Sequence, residues 1–143
     1  MTTLRQLLGN PPRTPLSVKP DDSVFHALET MAKHDVGALL VMESERLVGI
    51  FSERDYARKV VLHGQSSRQM AVREIMTDKV CYALAGQTVQ EAMVLVTEKR
   101  VRHLPVLDDS QRVIGIVSIG DLVKETISDQ AFIIEQLEHY ITR

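Results

Sequence analysis

The chain has 143 residues, 44% of them hydrophobic but only 4% aromatic, with no Trp. That is enough apolar material for one compact domain, or for two half-domains that fold together around Val, Ile, Leu, Met and Ala. A formal net charge of −2 gives no basic field for nucleic acid, Cys81 alone cannot close an internal disulfide, and no apolar run approaches the ~20 residues that span a bilayer.

Leu4-Arg5-Gln6-Leu7-Leu8 predicts a short helix, stopped by Gly9-Asn10-Pro11-Pro12, since a Pro lacks an N–H and pushes its predecessor out of the helical region. Pro15 joins Pro11 and Pro12 in a stiff lead-in, and Val18 lies in a short extended stretch. Asp22 or Ser23 is expected to cap a helix from Val24, with Val24, Ala27, Leu28 and Met31 at the three-to-four spacing of one buried stripe. Val36 to Met42 is an apolar run too short for a helix and reads as a buried strand. Glu43-Ser44-Glu45-Arg46 is a turn, and Leu47 to Phe51 the second strand of a hairpin. Ser52 then caps a helix running to about His63.

Gly64-Gln65-Ser66-Ser67-Arg68 is a polar connector, and Val72-Arg73-Glu74-Ile75-Met76 a short helical turn. Val80-Cys81-Tyr82 is the counterpart of the Val18 strand. Thr88 caps a helix that buries Val89, Ala92, Met93 and Val96. Arg102 to Leu107 and Arg112 to Val117 form a second hairpin, and Ser118 caps the last helix. That helix is expected to run to Ile141, with a possible break near Ser128-Asp129. Its apolar positions Ile133, Ile134, Leu137 and Ile141 form a second stripe. Packing on Leu4, Leu7 and Leu8 is slightly preferred for that stripe over docking on another chain.

The two halves repeat one another. Gly49-Ile50-Phe51-Ser52-Glu53-Arg54-Asp55 returns as Gly115-Ile116-Val117-Ser118-Ile119-Gly120-Asp121, and Val36 to Val41 matches Val101 to Val106. The one-residue change of offset falls in the turn, where Asp108-Asp109-Ser110-Gln111 is longer than Glu43-Ser44-Glu45, and a polar turn tolerates an insertion. Each half reads strand-helix-strand-strand-helix. The expected fold is α/β, two such repeats packed as a pseudo-two-fold pair. Residues 1–16 form the N-terminal helix and lead-in, 17–64 the first repeat, 65–79 the connector, 80–127 the second repeat and 128–143 a helical extension. Each copy sets a hydroxyl and a carboxylate where a strand hands over to a helix, which points to a receptor for a polar ligand more than to a catalyst.

Gly-apolar-apolar-Ser-x-x-Asp, preceded by an apolar hairpin with Val101-Arg102-His103-Leu104-Pro105-Val106, resembles the cystathionine-β-synthase (CBS) domain, and two copies in tandem resemble a Bateman module. The resemblance covers Ser17 to Ile127 and is specific because both copies fall in order. One position departs from it: Leu40 stands where the second repeat has Pro105, which puts equal affinity of the two clefts in doubt. The resemblance implies a regulatory protein without catalytic residues, of the small stand-alone bacterial type. Its implied ligands are AMP, ADP, ATP or NAD(H), bound in clefts between the repeats and signalling energy or redox state to a partner. S-adenosylmethionine is the alternative ligand. The resemblance also implies that each cleft draws on both repeats. Ser118 and Asp121 would share a ligand with Leu16, Val36, Gly37 and Ala38, and Ser52, Arg54 and Asp55 one with Lys79, Cys81, Tyr82, Val101, Arg102 and, on the same strand, His103. A homodimer and an unidentified regulated protein are the expected partners; nucleic acid and membrane are not.

The residue chemistry fits a nucleotide. One carboxylate, Asp55 or Asp121, accepts hydrogen bonds from both hydroxyls of a ribose, and a charged acceptor makes the stronger bond. First-turn amides and the Ser hydroxyl would hold a phosphate at the helix start. Adenine would lie between apolar side chains, read by backbone groups of residues 36–38 or 101–103. Arg54, Arg58 and Lys79 make the Ser52/Asp55 site the one expected to take the more highly charged ligand. Ser followed three residues later by Asp is also an ordinary helix cap, but two copies within a repeat favour ligand contact. Cys81 reads as a pocket or core residue, and the five His show no metal spacing. A nucleotide hydrolase finds no paired carboxylates, Walker Lys, metal cluster or nucleophile with its base. The N-terminus lacks the apolar stretch of a secretory signal, so a cytoplasmic location is expected.

Overall fold

The computed structural model describes residues 1–9 and 15–142. The expected stop at Asn10-Pro11-Pro12 lies outside the described residues. The chain divides into two compact units, one of Thr14–Val80 and one of Met1–Arg13 with Cys81–Arg143.

The first unit holds β1 (Ser17–Val18), α2 (Val24–His34), β2 (Ala38–Glu43), β3 (Arg46–Ser52) and α3 (Glu53–Tyr56). Its sheet order is β1-β2-β3, with β1 parallel and β3 antiparallel to β2. Ser23, the second of the two expected caps, accepts from His26 N and starts α2. Val24, Ala27 and Met31 then face a core with Leu39, Val41, Phe51, Val60, Val72 and Ile75. The hairpin turns at Ser44 and Glu45, both left-handed at φ 50° and 67°. The helix expected from Ser52 to about His63 is different in kind: α3 ends at Tyr56 and a π-helical turn, Ala57–Val61, continues it.

The second unit contains α1 (Leu4–Leu8), β4 (Ala83–Leu84), α4 (Val89–Lys99), β5 (His103–Leu107), β6 (Val113–Ser118) and α5 (Ile119–Thr142). Its sheet order, β4-β5-β6, repeats the first. The strand expected at Val80-Cys81-Tyr82 forms two to three residues later: Val18 pairs with Val41 and Ala83 with Val106, so the counterpart of Val18 is Ala83, and Pro105 accounts for the one residue of pairing lost before it. In the first unit the N–H of Leu40 donates to the carbonyl of Leu16 at 3.3 Å. Pro105, at the matching place, has no N–H to offer Cys81, so pairing starts further along. Thr88 caps α4 by accepting from Glu91 N. The ladder slips at matching places, Val41/Met42 and Val106/Leu107.

Each unit is closed by a lead-in segment, and the two lead-ins are equivalent. Val24 N donates to Met70 O and Val72 N to Asp22 O; in the other unit Val89 N donates to Thr2 O and Leu4 N to Gln87 O. Leu4 and Val72 are both fully buried. The N-terminal helix thus belongs with the second repeat's core, and the segment 70–77 with the first. The repeat glycines make room for them. A Cβ on Gly49 would sit 2.7 Å from Met76 Sδ, and one on Gly115 2.7 Å from Leu8 Cδ2.

The last helix is continuous from Ile119 to Thr142 with no break near Ser128-Asp129. The packing of its second stripe on Leu4, Leu7 and Leu8 expected from the sequence does not form. Ile133, Ile134, Leu137 and Ile141 are 54–79% exposed, while Leu4 is in the core of its own unit, with Leu7 and Leu8 packed against that core. No helix among the described residues is long and apolar enough to cross a membrane.

Candidate functional site

In each unit the Ser-x-x-Asp motif sits where the third strand becomes a helix. Both carboxylates accept from the Ser backbone N–H three residues back, at 3.0 Å for Ser52–Asp55 and 2.9 Å for Ser118–Asp121. Both Ser hydroxyls accept from the Asp N–H in return, at 3.2 and 3.0 Å. This reciprocal cap satisfies amides that a helix start leaves open. The first residue of each helix is also served: Glu53 N donates to Gly37 O at 3.1 Å, and Ile119 N to Arg102 O at 2.9 Å. The expectation of a first turn full of unsatisfied amides is therefore corrected. The neighbouring strand's carbonyl and the motif Ser already take most of them.

The neighbouring strand is brought beside each motif. Ala38 is the register partner of Ser52, and His103 of Ser118. In the first unit Ala38 and Ser52 thus lie on adjoining strands, Leu16 and Gly37 just before them, and Asp55 on the helix they feed. In the second, His103 and Ser118 pair likewise, with Val101 and Arg102 just before the strand and Asp121 on the helix. Val36 and Val101 are half-buried and use their N–H groups on Met31 O and Val96 O, so the backbone groups expected to read adenine are partly committed. Arg54, Arg58, Lys79 and Arg102 are exposed, and Arg54 and His103 are each already engaged by a partner. Tyr82 is about half exposed. Cys81 is half-buried, and that burial raises its thiol pKa against the pull of Lys99.

The two motifs differ in what surrounds the acid. Asp55 is buried, 7% exposed. Its Oδ2 also accepts from Ser52 Oγ at 3.1 Å, and its Oδ1 accepts from Thr77 Oγ1 at 3.1 Å and faces Lys59 Nζ at 3.2 Å. Asp121 is exposed. One turn beyond it stands Glu125, where the first motif has Lys59, and Glu125 accepts from Thr2 Oγ1 at 3.2 Å. Lys59 and Thr77 were missed from sequence. The acid-to-lysine spacing of four was a visible signal for Lys59; nothing local marks Thr77, which lies on the lead-in. No cluster of metal-ligating side chains occurs among the described residues.

Comparison with known proteins agrees with this duplicated architecture. The family model described as the CBS domain matches twice, over residues 6–62 and 72–128, each match taking in part of a lead-in. The chain therefore belongs to the CBS-domain family and carries two of its domains. CBS-domain pairs are generally regulatory, non-catalytic modules. A CBS-domain protein from Burkholderia ambifaria MC40-6 has a similar structure, with TM-score 0.84 and 50% identity, covering 90% of this chain and 96% of that one. The CBS domain pair of protein MJ0100, in complex with 5′-methylthioadenosine and S-adenosyl-L-methionine, is similar at TM-score 0.77 and 25% identity, covering 90% of this chain and 98% of that one. Among curated relatives, the mitochondrial CBS domain-containing protein CBSX3 of Arabidopsis thaliana is 40% identical over 126 residues. The match takes in 85% of this chain but only 61% of that protein's length.

Proposed function

We propose that this chain is a non-catalytic sensor that binds an adenosine-containing ligand at its Ser-x-x-Asp motifs and passes the bound state to a partner protein. The observation that carries the reading is Asp121: an exposed carboxylate at a strand-to-helix junction, with Oδ2 accepting from Ser118 N and Oδ1 open to solvent-side donors. A ribose diol offers two O–H donors to such an acceptor, and the charge strengthens both bonds. The Ser118 hydroxyl and the Gly120 amide are the groups left to meet a phosphate. The ligand class is supported by the adenosyl compounds bound to the MJ0100 pair.

AMP, ADP, ATP or NAD(H) is the first reading of the ligand. S-adenosylmethionine is the second, favoured by its presence in that same relative. A gauge of metabolite level works between micromolar and millimolar affinity, about −8 to −4 kcal/mol. The ligand biases the protein only through unequal affinity for two of its states. The reading also takes the protein as cytoplasmic and as a homodimer, the exposed apolar stripe of α5 meeting a second copy; sedimentation showing a monomer at micromolar concentration counts against the dimer. A thermal-shift panel of AMP, ADP, ATP, NAD⁺, NADH and S-adenosylmethionine tests the ligand class. A ligand that binds only the native state at 100 times its Kd stabilises it by about 2.7 kcal/mol. No shift with any of the six at millimolar concentration would refute the proposal.

A further inference from the structure

We infer that the two motif acids meet a diol differently: Asp121 is open to it, whereas Asp55 is latched by Thr77 and Lys59 and takes a diol only when that latch yields. The inference rests on the ligand reading above and deepens it.

A carboxylate has about four acceptor positions. Asp55 already faces four donors: Ser52 N, Ser52 Oγ, Thr77 Oγ1 and Lys59 Nζ. The last two share Oδ1, the oxygen not used by the cap. Both donors have a second anchor. Thr77 exchanges two backbone hydrogen bonds with Ile50, both 2.9 Å, which fix the backbone that carries its hydroxyl. Lys59 also donates to Ile75 O at 3.0 Å. A diol reaching Asp55 has to displace both from Oδ1.

The second motif ties down its lead-in by another route. Thr2 donates to Glu125 and Asp129, at 3.2 and 3.4 Å, and leaves Asp121 alone. No ammonium stands one turn along, because that place is Glu125. The residue after Leu8, in the position matching Thr77, is Gly9, which has no hydroxyl. The open acid therefore fills first, at lower ligand concentration. The latched acid fills later, and filling it releases residues 75–77 from the motif helix. Ligand at the first motif is thereby felt in the segment that closes its unit, whereas ligand at the second is not.

The test is calorimetric titration of AMP into the full chain, its Asp121→Asn variant and its Thr77→Val variant, joined to a urea-unfolding cycle on Asp55→Ala and Thr77→Val. Two unequal classes of site are expected. Asp121→Asn should remove the tighter class. Thr77→Val, which takes one competing donor from Asp55, should tighten the weaker class about three- to ten-fold and leave the tighter one unchanged. Two equal sites, or a weaker class that Thr77→Val leaves alone or weakens, would overturn the inference. The unfolding cycle needs no ligand. The double variant should lose less stability than the two single variants together, because they break one shared bond. Strict additivity overturns the latch whatever AMP does. Coupling without any AMP binding upholds the latch and sinks the adenosine reading instead.

Discussion

Replacing Gly49 and Gly115 with Ala, one at a time, probes the two matching glycines where the units differ in a measurable way. At Gly115 the three nearest atoms to the new methyl all belong to the Leu8 side chain, its two terminal carbons at 2.7 and 2.9 Å and its Cγ at 3.4 Å. The terminal carbons end a flexible side chain that can rotate aside. At Gly49 the methyl meets Met76 Sδ at 2.7 Å, and also the Thr77 carbonyl oxygen at 3.0 Å. The Met side chain can swing away, but the carbonyl is backbone, and it accepts from Ile50 N at 2.9 Å in a two-bond exchange. Carbon contacts settle near 3.5–4.0 Å, so the lead-in has to move by several tenths of an ångström. Overpacking of this kind costs about 1–3 kcal/mol, and weakening the Ile50–Thr77 exchange adds about 1 kcal/mol. Lower unfolded-state entropy returns about 0.5–1 kcal/mol to either Ala variant. The net expectation is a loss of about 2 kcal/mol for Gly49→Ala and under about 1 kcal/mol for Gly115→Ala. Near 4 °C per kcal/mol for a chain of this size, that is a fall of roughly 8 °C against less than about 4 °C. Differential scanning calorimetry of the two variants decides it. A Gly115→Ala loss equal to or greater than that of Gly49→Ala would refute the argument that backbone, and not side-chain, crowding governs the cost.

Asp55→Ala should cost about 2–3 kcal/mol in urea unfolding, from a lost cap, a lost Thr77 bond and a discounted, half-exposed ion pair with Lys59; Asp121→Ala should cost only the cap, about 1 kcal/mol, and equal losses would contradict the contacts described. Ser44 and Glu45 make consecutive left-handed residues in the first hairpin turn, so Glu45→Gly should raise stability by about 1 kcal/mol in the same assay, and a loss would count against that turn geometry. Burial pushes the Cys81 thiol above its usual 9.0. The folded state therefore holds the proton more tightly than the unfolded one. Stability from this group is full below pH 9 and declines as pH rises through the folded value. Cys81→Ser should flatten the fall in stability above pH 9, and an unchanged slope would show that the thiol does not contribute.

The duplicated motif, the strand and helix order and the caps at Ser23, Thr88 and Ser118 were legible because each rests on local chemistry: apolar periodicity, a small polar residue before it, a polar turn between strands. The lead-ins were half legible. Leu4-Arg5-Gln6-Leu7-Leu8 and Val72-Arg73-Glu74-Ile75-Met76 share a pattern of apolar, Arg, polar and two apolar residues, yet their matching places depend on which unit each one packs against, and that is a long-range pairing. The π-helical turn after Tyr56 and the delayed start of β4 follow from tertiary fit and from one missing N–H at Pro105. At the site, the residue types were readable but their accessibility was not. Asp55 and Asp121 carry the same motif, yet one is buried beside Thr77 and Lys59 and the other is exposed. The apolar stripe of α5 was visible in its spacing, whereas what it faces could not be read from the spacing alone.

The claim that most depends on measurement is that the motif acids hold the sugar of an adenosine compound. Calorimetric titration of AMP into the native chain and into the Asp55→Asn/Asp121→Asn double variant, with circular dichroism confirming that both are folded, tests it directly. Binding heat in the native chain that disappears in the folded double variant is the predicted result. Heat of equal size and affinity in both would contradict it.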